Sequence, residues 1–540
     1  MSARQLLVKR LGALPVLRDY LERLGLRERV DALAPVREVA HLTNGAVVEA
    51  LVANRLTAPR PLYDIVAWAE EWAVEETFGL PPGALNDDRL GRCLDDLAAV
   101  HDALRGEVTV QAIQAFGLAT KALRWDLTSV LVTGEYPEDE QAAGYARVQY
   151  GYGSGAQKQV RYLQVTTTDG AVPVWDQPWD GNTTDVATVI DTMRALREHA
   201  RCTDFVLIGD SKLLSAANRA ALLAAELGYL APLPRTAELD AAFLALPPEH
   251  FQRLDYVSAR DRARPAEEQA SYQGWETTTE IVGTPAGAAE QRWVVRRLFV
   301  LSSEERAACR RNRARQRERA EAEIARVCRQ VGTRWYPTAE RAQAKLDTIL
   351  ERRHLRELYR VTVETGGERP AVRCDLVPAA LARAEALDGY YVLETTRTVA
   401  EADASTLLAE WKGQWEIEHR HRAAKGPLRI RPLFVSSNQR IVGLITILGL
   451  ALLVFSLIER EARRALGPTA KVPNLLAGHV AARPTGENLL KALRGIALAT
   501  VELAGARYRL VAQLSPLQRT LLALLGVPEQ AYARGAASSS

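Results

Sequence analysis

At 540 residues, 47% apolar and 25% charged, the chain has the make-up of an ordinary soluble globular protein, with room for three or four domains and a large core. The net charge of +3, from 69 basic against 66 acidic side chains, does not by itself indicate a nucleic-acid partner, so any basic surface must be local. Five scattered cysteines (Cys93, Cys202, Cys309, Cys328, Cys374), odd in number and without CxxC spacing, argue against a zinc site or a disulfide framework and for free thiols in a reducing compartment.

The N-terminus is basic but has no unbroken apolar run, so no secretory signal is expected. Residues 1–115 read as helical: apolar positions recur at helical spacing through Val47–Leu56 and Leu90–Val100, broken by Pro59, Pro61, Pro81 and Pro82. Asn86 or Asp87 is a plausible N-cap. From about 120 the period changes. Trp125–Val132 reads as a strand carrying Asp126, and Tyr162–Thr168 with Val172–Trp175 as a hairpin turning at Asp169-Gly170. A helix over Asp185–His199, a short buried strand Phe205–Ile208 running into Gly209-Asp210-Ser211, a helix over 213–227 and a strand Tyr229–Leu233 follow. The order β-β-β-α-β-α-β is that of an RNase H-like α/β core, a mixed sheet with helices on its faces.

Residues 237–395 interrupt that core. Strand-like pieces at Thr277–Val282, Trp293–Leu301, Tyr359–Glu364 and Tyr390–Glu394 flank a basic helical stretch holding Arg306, Arg310, Arg311, Arg313, Arg315, Arg317 and Arg319. That stretch reads either as a phosphate-neutralising surface or as a solvated helix paired with acids such as Glu318 and Glu321. The predicted organisation is a helical N-terminal region (1–115), a core in two parts (116–236 and 396–470), a β-rich insertion (237–395) and a helical C-terminal region (471–540) ending in a disordered Gly535–Ser540 tail. Ile441–Ile458 is an uncharged run of 18 residues, at the lower limit for crossing a bilayer; the expectation is instead a helix buried in a large domain.

The stretch WKGQWEIEHRHRAAK places Trp411, Gln414, Glu418 and Lys425 within an arc of roughly 60° on one helix, which Gly426 and Pro427 end. A ring, an amide, a carboxylate and a cation make a poor core stripe and a good surface for a metal and a polyanion. Glu416 projects from nearly the opposite side, so Glu418 is the carboxylate that counts. Taken singly, Asp126 reads equally as a turn residue and Asp210 as an N-cap. Taken with Glu418, they form an acidic triad, because an RNase H-like sheet sets the first strand beside the one before Asp210 and packs the Glu418 helix across their ends. Three converging carboxylates repel one another, and two divalent cations, Mg²⁺ with Mn²⁺ as a substitute, would relieve that. The chemistry such a site suits is metal-assisted in-line attack on a phosphodiester. Arg422 shares the face of Glu418, His421 lies at its edge and Arg429 and Arg431 follow, placed to meet phosphates beside the metals. Asp185 reads as a helix cap, and Lys212 equally as a phosphate contact or a solvated lysine.

The spacing of the stripe resembles the signature Tyr-x2-Arg-x3-Glu-x6-Lys of DDE transposases of bacterial insertion sequences, in the group named after insertion sequence four. All four intervals match, with Trp411 in place of the Tyr and Gln414 in place of the Arg. The stretches LNDDRLGRCLDDL and YGYGSGAQKQVRYLQV, and the GNTTD that follows, are also similar to that group, and the resemblance runs over most of residues 10–470. It implies cut-and-paste cleavage and strand transfer at the ends of an insertion sequence. Asp126, Asp210 and Glu418 would be catalytic and metal-binding, and Trp411, Gln414, His421, Arg422, Lys425, Arg429 and Arg431 would contact DNA. Double-stranded DNA (terminal inverted repeats recognised with help from the N-terminal region, and target), a homodimer in the DNA complex, a cytoplasmic, nucleoid-associated location and no membrane complete the expectation. Relatives stack a flipped base on an insertion-domain aromatic; Trp275, Trp293 and Trp335 are available, and nothing selects one. The loss of the Arg at Gln414 leaves open a catalytically inactive RNase H-like DNA-binding protein derived from a transposase.

Overall fold

The computed structural model describes residues 4–37, 42–137, 144–151, 157–285, 287–364, 371–429, 435, 437–503 and 506–533. The predicted tail at Gly535–Ser540 lies outside them. The chain divides into two compact units, one of Met1–Tyr229, Thr284–Ala289 and Glu410–Ser540, the other of Leu230–Gly283 and Glu290–Ala409.

In the first unit the strand Ala122–Leu131 is central. It pairs antiparallel with Lys158–Thr167, which pairs antiparallel with Pro173–Trp179. On its other side it runs parallel to Val206–Ile208. The order third, second, first, fourth is the mixed sheet of an RNase H-like core. The hairpin turns where expected, with Gly170 at φ 114° supplying a conformation that side chains disfavour. The helix Asp185–Glu198 follows as predicted. The single helix expected over 213–227 is instead a short 3-10 turn, Ser211–Leu214, and a helix, Ala216–Ala224. Ser215 makes the break, because its side chain accepts from the Asn218 N–H and so starts the helix afresh.

The apolar run lies inside a 29-residue helix, Asn438–Leu466, long and apolar enough to cross a membrane, but its most apolar window is entirely buried within the protein. It packs on the helices Asn44–Thr57, Asp87–Ala99 and His101–Phe116 and on the strand Pro173–Trp179. Two glycines allow this: a Cβ at Gly443 would collide with the Leu94 backbone, and one at Gly449 with the Asp176 carboxylate. One feature of the N-terminal region departs from the helical reading. Arg4–Arg10 is a strand, paired antiparallel with Ala497–Leu503, which in turn pairs with Ala506–Val511. The C-terminal region is therefore not wholly helical either.

Between the long helix and the sheet lies a buried polar cluster. Arg105 and Asp176, both 0% exposed, form an ion pair. The His101 Nδ1 is 2.7 Å from Thr446 Oγ1 and its Nε2 is 3.2 Å from the Asp176 carbonyl oxygen. Burial holds the His101 imidazole below its ordinary pKa. The unfolded chain therefore binds this proton more readily, so stability is complete above the unfolded value near 6.5 and falls as pH drops below it. The expected loss approaches about 1.4 kcal/mol per pH unit. Urea unfolding between pH 7.5 and 5.5 should show it, and His101→Gln should flatten it; an equal slope in the variant would contradict the assignment.

The second unit has its own antiparallel strands. The 12-residue strands Tyr272–Gly283 and Gln291–Ser302 form a hairpin, flanked by Gln252–Leu254 on one side and Tyr390–Thr395 on the other. The end of the strand Gly228–Pro232 pairs with Tyr390–Thr395. The helices Ser303–Arg329 and Ala339–Arg352 and the hairpin Tyr359–Glu364/Ala371–Leu376 close over a core of Ala320, Ile324, Val327, Leu346 and Tyr359. A β-rich insertion around a basic helix is what the sequence suggested.

Candidate active site

The parallel register pairs Ala122 with Val206, Leu123 with Leu207 and Arg124 with Ile208. The pairing ends there: Asp126 continues along its strand, while Asp210 follows Gly209 just past the end of Val206–Ile208, near enough for the Asp126 charge to act on it. Both side chains are half-buried. Asp126 Oδ1 accepts the Leu127 N–H at 2.8 Å. Asp210 Oδ1 accepts the Lys212 N–H at 2.9 Å and so caps the 3-10 turn. Burial pushes the Asp210 carboxyl above its ordinary pKa, and the negative charges of Asp126 and Asp185 add to the rise. Asp185 is not the simple cap it was expected to be. Its buried carboxylate bridges Arg161 and Lys212, so Lys212, though exposed, is tethered at its amine beside Asp210.

The third element differs from expectation in one respect. The four signature residues do not share one continuous helix: Ala404–Lys412 ends before Gly413-Gln414, and Trp415–Lys425 begins after them. Half-buried Trp411 belongs to the first piece, beneath Lys412, whose Nζ lies 5.0 Å from its ring centre. At the break, the Arg124 guanidinium passes so close to Gly413 that any Cβ there would collide with it. It goes on to pair with Glu416 at 2.7 Å. Glu416, set aside as facing away from the site, thus anchors the strand carrying Asp126 to this helix. Spacing along one helix cannot reveal a partner on another element.

From this break the helix lies along the Asp126 strand. Gln414 Nε2 donates to the Trp125 carbonyl at 3.0 Å, His421 Nδ1 is 3.3 Å from Asp126 Oδ2, and Lys425 Nζ donates to Thr128 Oγ1. Gln414, His421 and Lys425, expected to contact DNA, are therefore engaged on the strand itself, and His421 is buried. Arg420, which sequence reasoning passed over, locks the back of the helix: its Nε donates to the Ala171 carbonyl at 3.0 Å and its Nη2 to Gly170 at 2.7 Å and Glu459 at 2.9 Å. Arg422 and Arg429 are exposed; Arg431 lies outside the described residues.

Glu418 is exposed. At 100° per residue it stands at the margin of the strand-facing side, between Lys425 and Arg422. Among the described residues no three His, Cys, Asp or Glu side chains come together as a ready metal-binding group. The Asp126 charge acts on Asp210, and Glu418 is exposed on the helix that lies along the Asp126 strand. The donor chemistry fits a hard divalent cation, since Asp126, Asp210 and Glu418 all offer carboxylate oxygens.

Residues 126–454 match the family model described as "Transposase DDE domain", a match that starts on Asp126 and takes in Asp210 and Glu418. Residues 6–104 match another, described as "Domain of unknown function (DUF4277)". No curated protein matches the sequence. Among solved structures, the chain is similar to a piggyBac transposase synaptic complex with hairpin DNA, at 8% identity over 92% of this chain and 82% of that one, with a TM-score of 0.38. It is also similar to the Mos1 transposase paired-end complex with left transposon end, at 10% identity over 38% of this chain and 62% of that one, with a TM-score of 0.15.

Proposed function

We propose, because the chain belongs to the transposase DDE domain family, that it cuts and joins DNA at the ends of a bacterial insertion sequence of the insertion-sequence-four group, by a cut-and-paste route. Transposases of this family act on DNA and use divalent metal ions. What carries the finer reading is Asp126 on the strand that runs parallel to the one ending just before Asp210, beside a helix pinned along the Asp126 strand by Gln414, His421 and Lys425. Asp126, Asp210 and Glu418 are the residues to hold the cations, two Mg²⁺ ions replaceable by Mn²⁺. Bound there, such ions supply stabilisation of negative charge on the attacked phosphate and its leaving oxygen.

The chain's own residues do the rest. Arg124 and Glu416 fix the helix against the strand, and Arg420 fixes its back, so Glu418 is presented from a rigid element. Exposed Arg422 and Arg429 offer cations to the DNA backbone beside the acids. In this reading the N-terminal region helps recognise the terminal inverted repeats, and the protein works as a homodimer on two ends, in the cytoplasm.

The test is direct. Purified full-length protein with a duplex carrying the element's end should nick it in Mg²⁺ or Mn²⁺, leave a 3′-hydroxyl and join that end to target DNA. Chelation should stop it. Retained binding with no nicking in either metal would overturn the proposal in favour of an inactive DNA-binding protein.

A further inference from the structure

The basic helix Ser303–Arg329 of the second unit has two kinds of arginine. Those on its inner side are used within the fold: Arg313 forks onto Asp388, with Nη1 to Oδ1 at 2.9 Å, and Arg317 meets Glu321 at 3.2 Å. They share the side that buries Ala320, Ile324 and Val327. Arg311, Arg315, Arg319, Arg326 and Arg329 lie on the opposite side, all within roughly 80° of rotation, and all are exposed. Among the described residues none of the five has an acidic partner; Arg315 Nη2 donates to the Asn312 amide oxygen at 3.0 Å. Glu318 and Glu323 flank them, Glu323 being already paired with Arg352 and Arg353, as Glu304 at the head of the helix is with Arg260.

We propose that this outward arginine face is a binding surface for the phosphates of double-stranded DNA. From Arg311 to Arg329 it runs about 27 Å at 1.5 Å per residue, the length of roughly eight base pairs. Arginines at four-residue intervals repel one another, and sequences relieve this by interleaving acids, as the inner side does with Glu321. The outer face keeps its repulsion, which a polyanion laid along it removes. Guanidinium groups suit phosphate oxygens, and a row without base-reading amides implies binding that ignores sequence. Naming the polyanion as DNA rests on the transposase reading.

The experiment uses the full chain and a random-sequence DNA duplex longer than the helix. Replacing all five by glutamine should weaken binding equally on unrelated sequences. It should also lower the slope of log K against log salt by about 4.5, at roughly 0.9 for each phosphate no longer neutralised. Replacing all five by lysine, which keeps the charge, should leave the slope near that of the parent. An unchanged slope in the glutamine variant overturns the proposal, as does equal loss in the lysine variant or preference for duplex RNA. A parent that binds with a steep slope that the glutamine variant lacks, yet nicks nothing, leaves this surface standing and sinks the transposase reading. A parent that nicks while the glutamine variant keeps its slope does the reverse. A parent that binds no duplex sinks both.

Discussion

Single replacement of Asp126, Asp210 or Glu418 by alanine is expected to cut metal-dependent nicking by on the order of 10³-fold or more, since losing a ligand forfeits several kcal/mol of charge stabilisation at the phosphate. DNA affinity, set by basic groups elsewhere, should change little. The informative contrast is between two carboxylates two residues apart. Glu418 is exposed and has no ion pair among the described residues, so Glu418→Gln should abolish nicking and leave the melting temperature unchanged. Glu416 is paired with Arg124, whose side chain is almost wholly buried, so Glu416→Gln should lower stability, and its effect on nicking should follow from misplacement of the helix. Asp210→Asn should not destabilise. The folded protein already holds this carboxyl above its ordinary pKa, so its charge at neutral pH opposes folding, and removing it relieves that. Nicking by Glu418→Gln within tenfold of the parent would remove Glu418 from the site.

The parts legible in sequence were those written in local chemistry. The hairpin at Asp169-Gly170 shows because a turn glycine separates two strand-period segments, and Val206–Ile208 shows because a short apolar run stops at a glycine. The positions of the two aspartates followed from those strands. What stayed hidden depends on partners distant in the chain. Arg4–Arg10 is a strand because Ala497–Leu503 lies beside it, and nothing within seven residues states that. The apolar helix was ended at Ile458, where charges begin, yet it continues through Glu459, Arg460 and Glu461, all buried. They are admitted because Glu459 meets Arg420 and Arg460 meets Asp169. Composition weighs a buried charge alone; the fold supplies its counter-charge. The same limit hid Arg124, which passes over Gly413 where the signature helix is interrupted and pairs with Glu416.

The largest stability effect is expected at Asp176. Its ion pair with Arg105 sits between the helix His101–Phe116 and the strand Pro173–Trp179, with both side chains sealed from water. Nε and Nη1 of Arg105 have no hydrogen-bond acceptor among the described protein groups, so the carboxylate is its compensation. Asp176→Ala would leave that guanidinium buried and alone, at a cost of about 3–5 kcal/mol, a large share of the roughly 5–15 kcal/mol that holds a protein folded. Urea denaturation should show the loss directly. Arg105→Met combined with Asp176→Leu should recover most of it, because an apolar pair of similar volume incurs neither desolvation penalty. A loss below about 1 kcal/mol in Asp176→Ala would mean that water reaches Arg105. The consequence extends to the segment before the transposase domain. The helix His101–Phe116 begins inside the region matched by the other family model and is held to the catalytic sheet by this pair, by Thr109 Oγ1 donating to the Val174 carbonyl at 2.7 Å, and by His101. A fragment starting at Asp126 would strip that cover from the sheet and expose Asp176, so it should fail to fold where the full chain does.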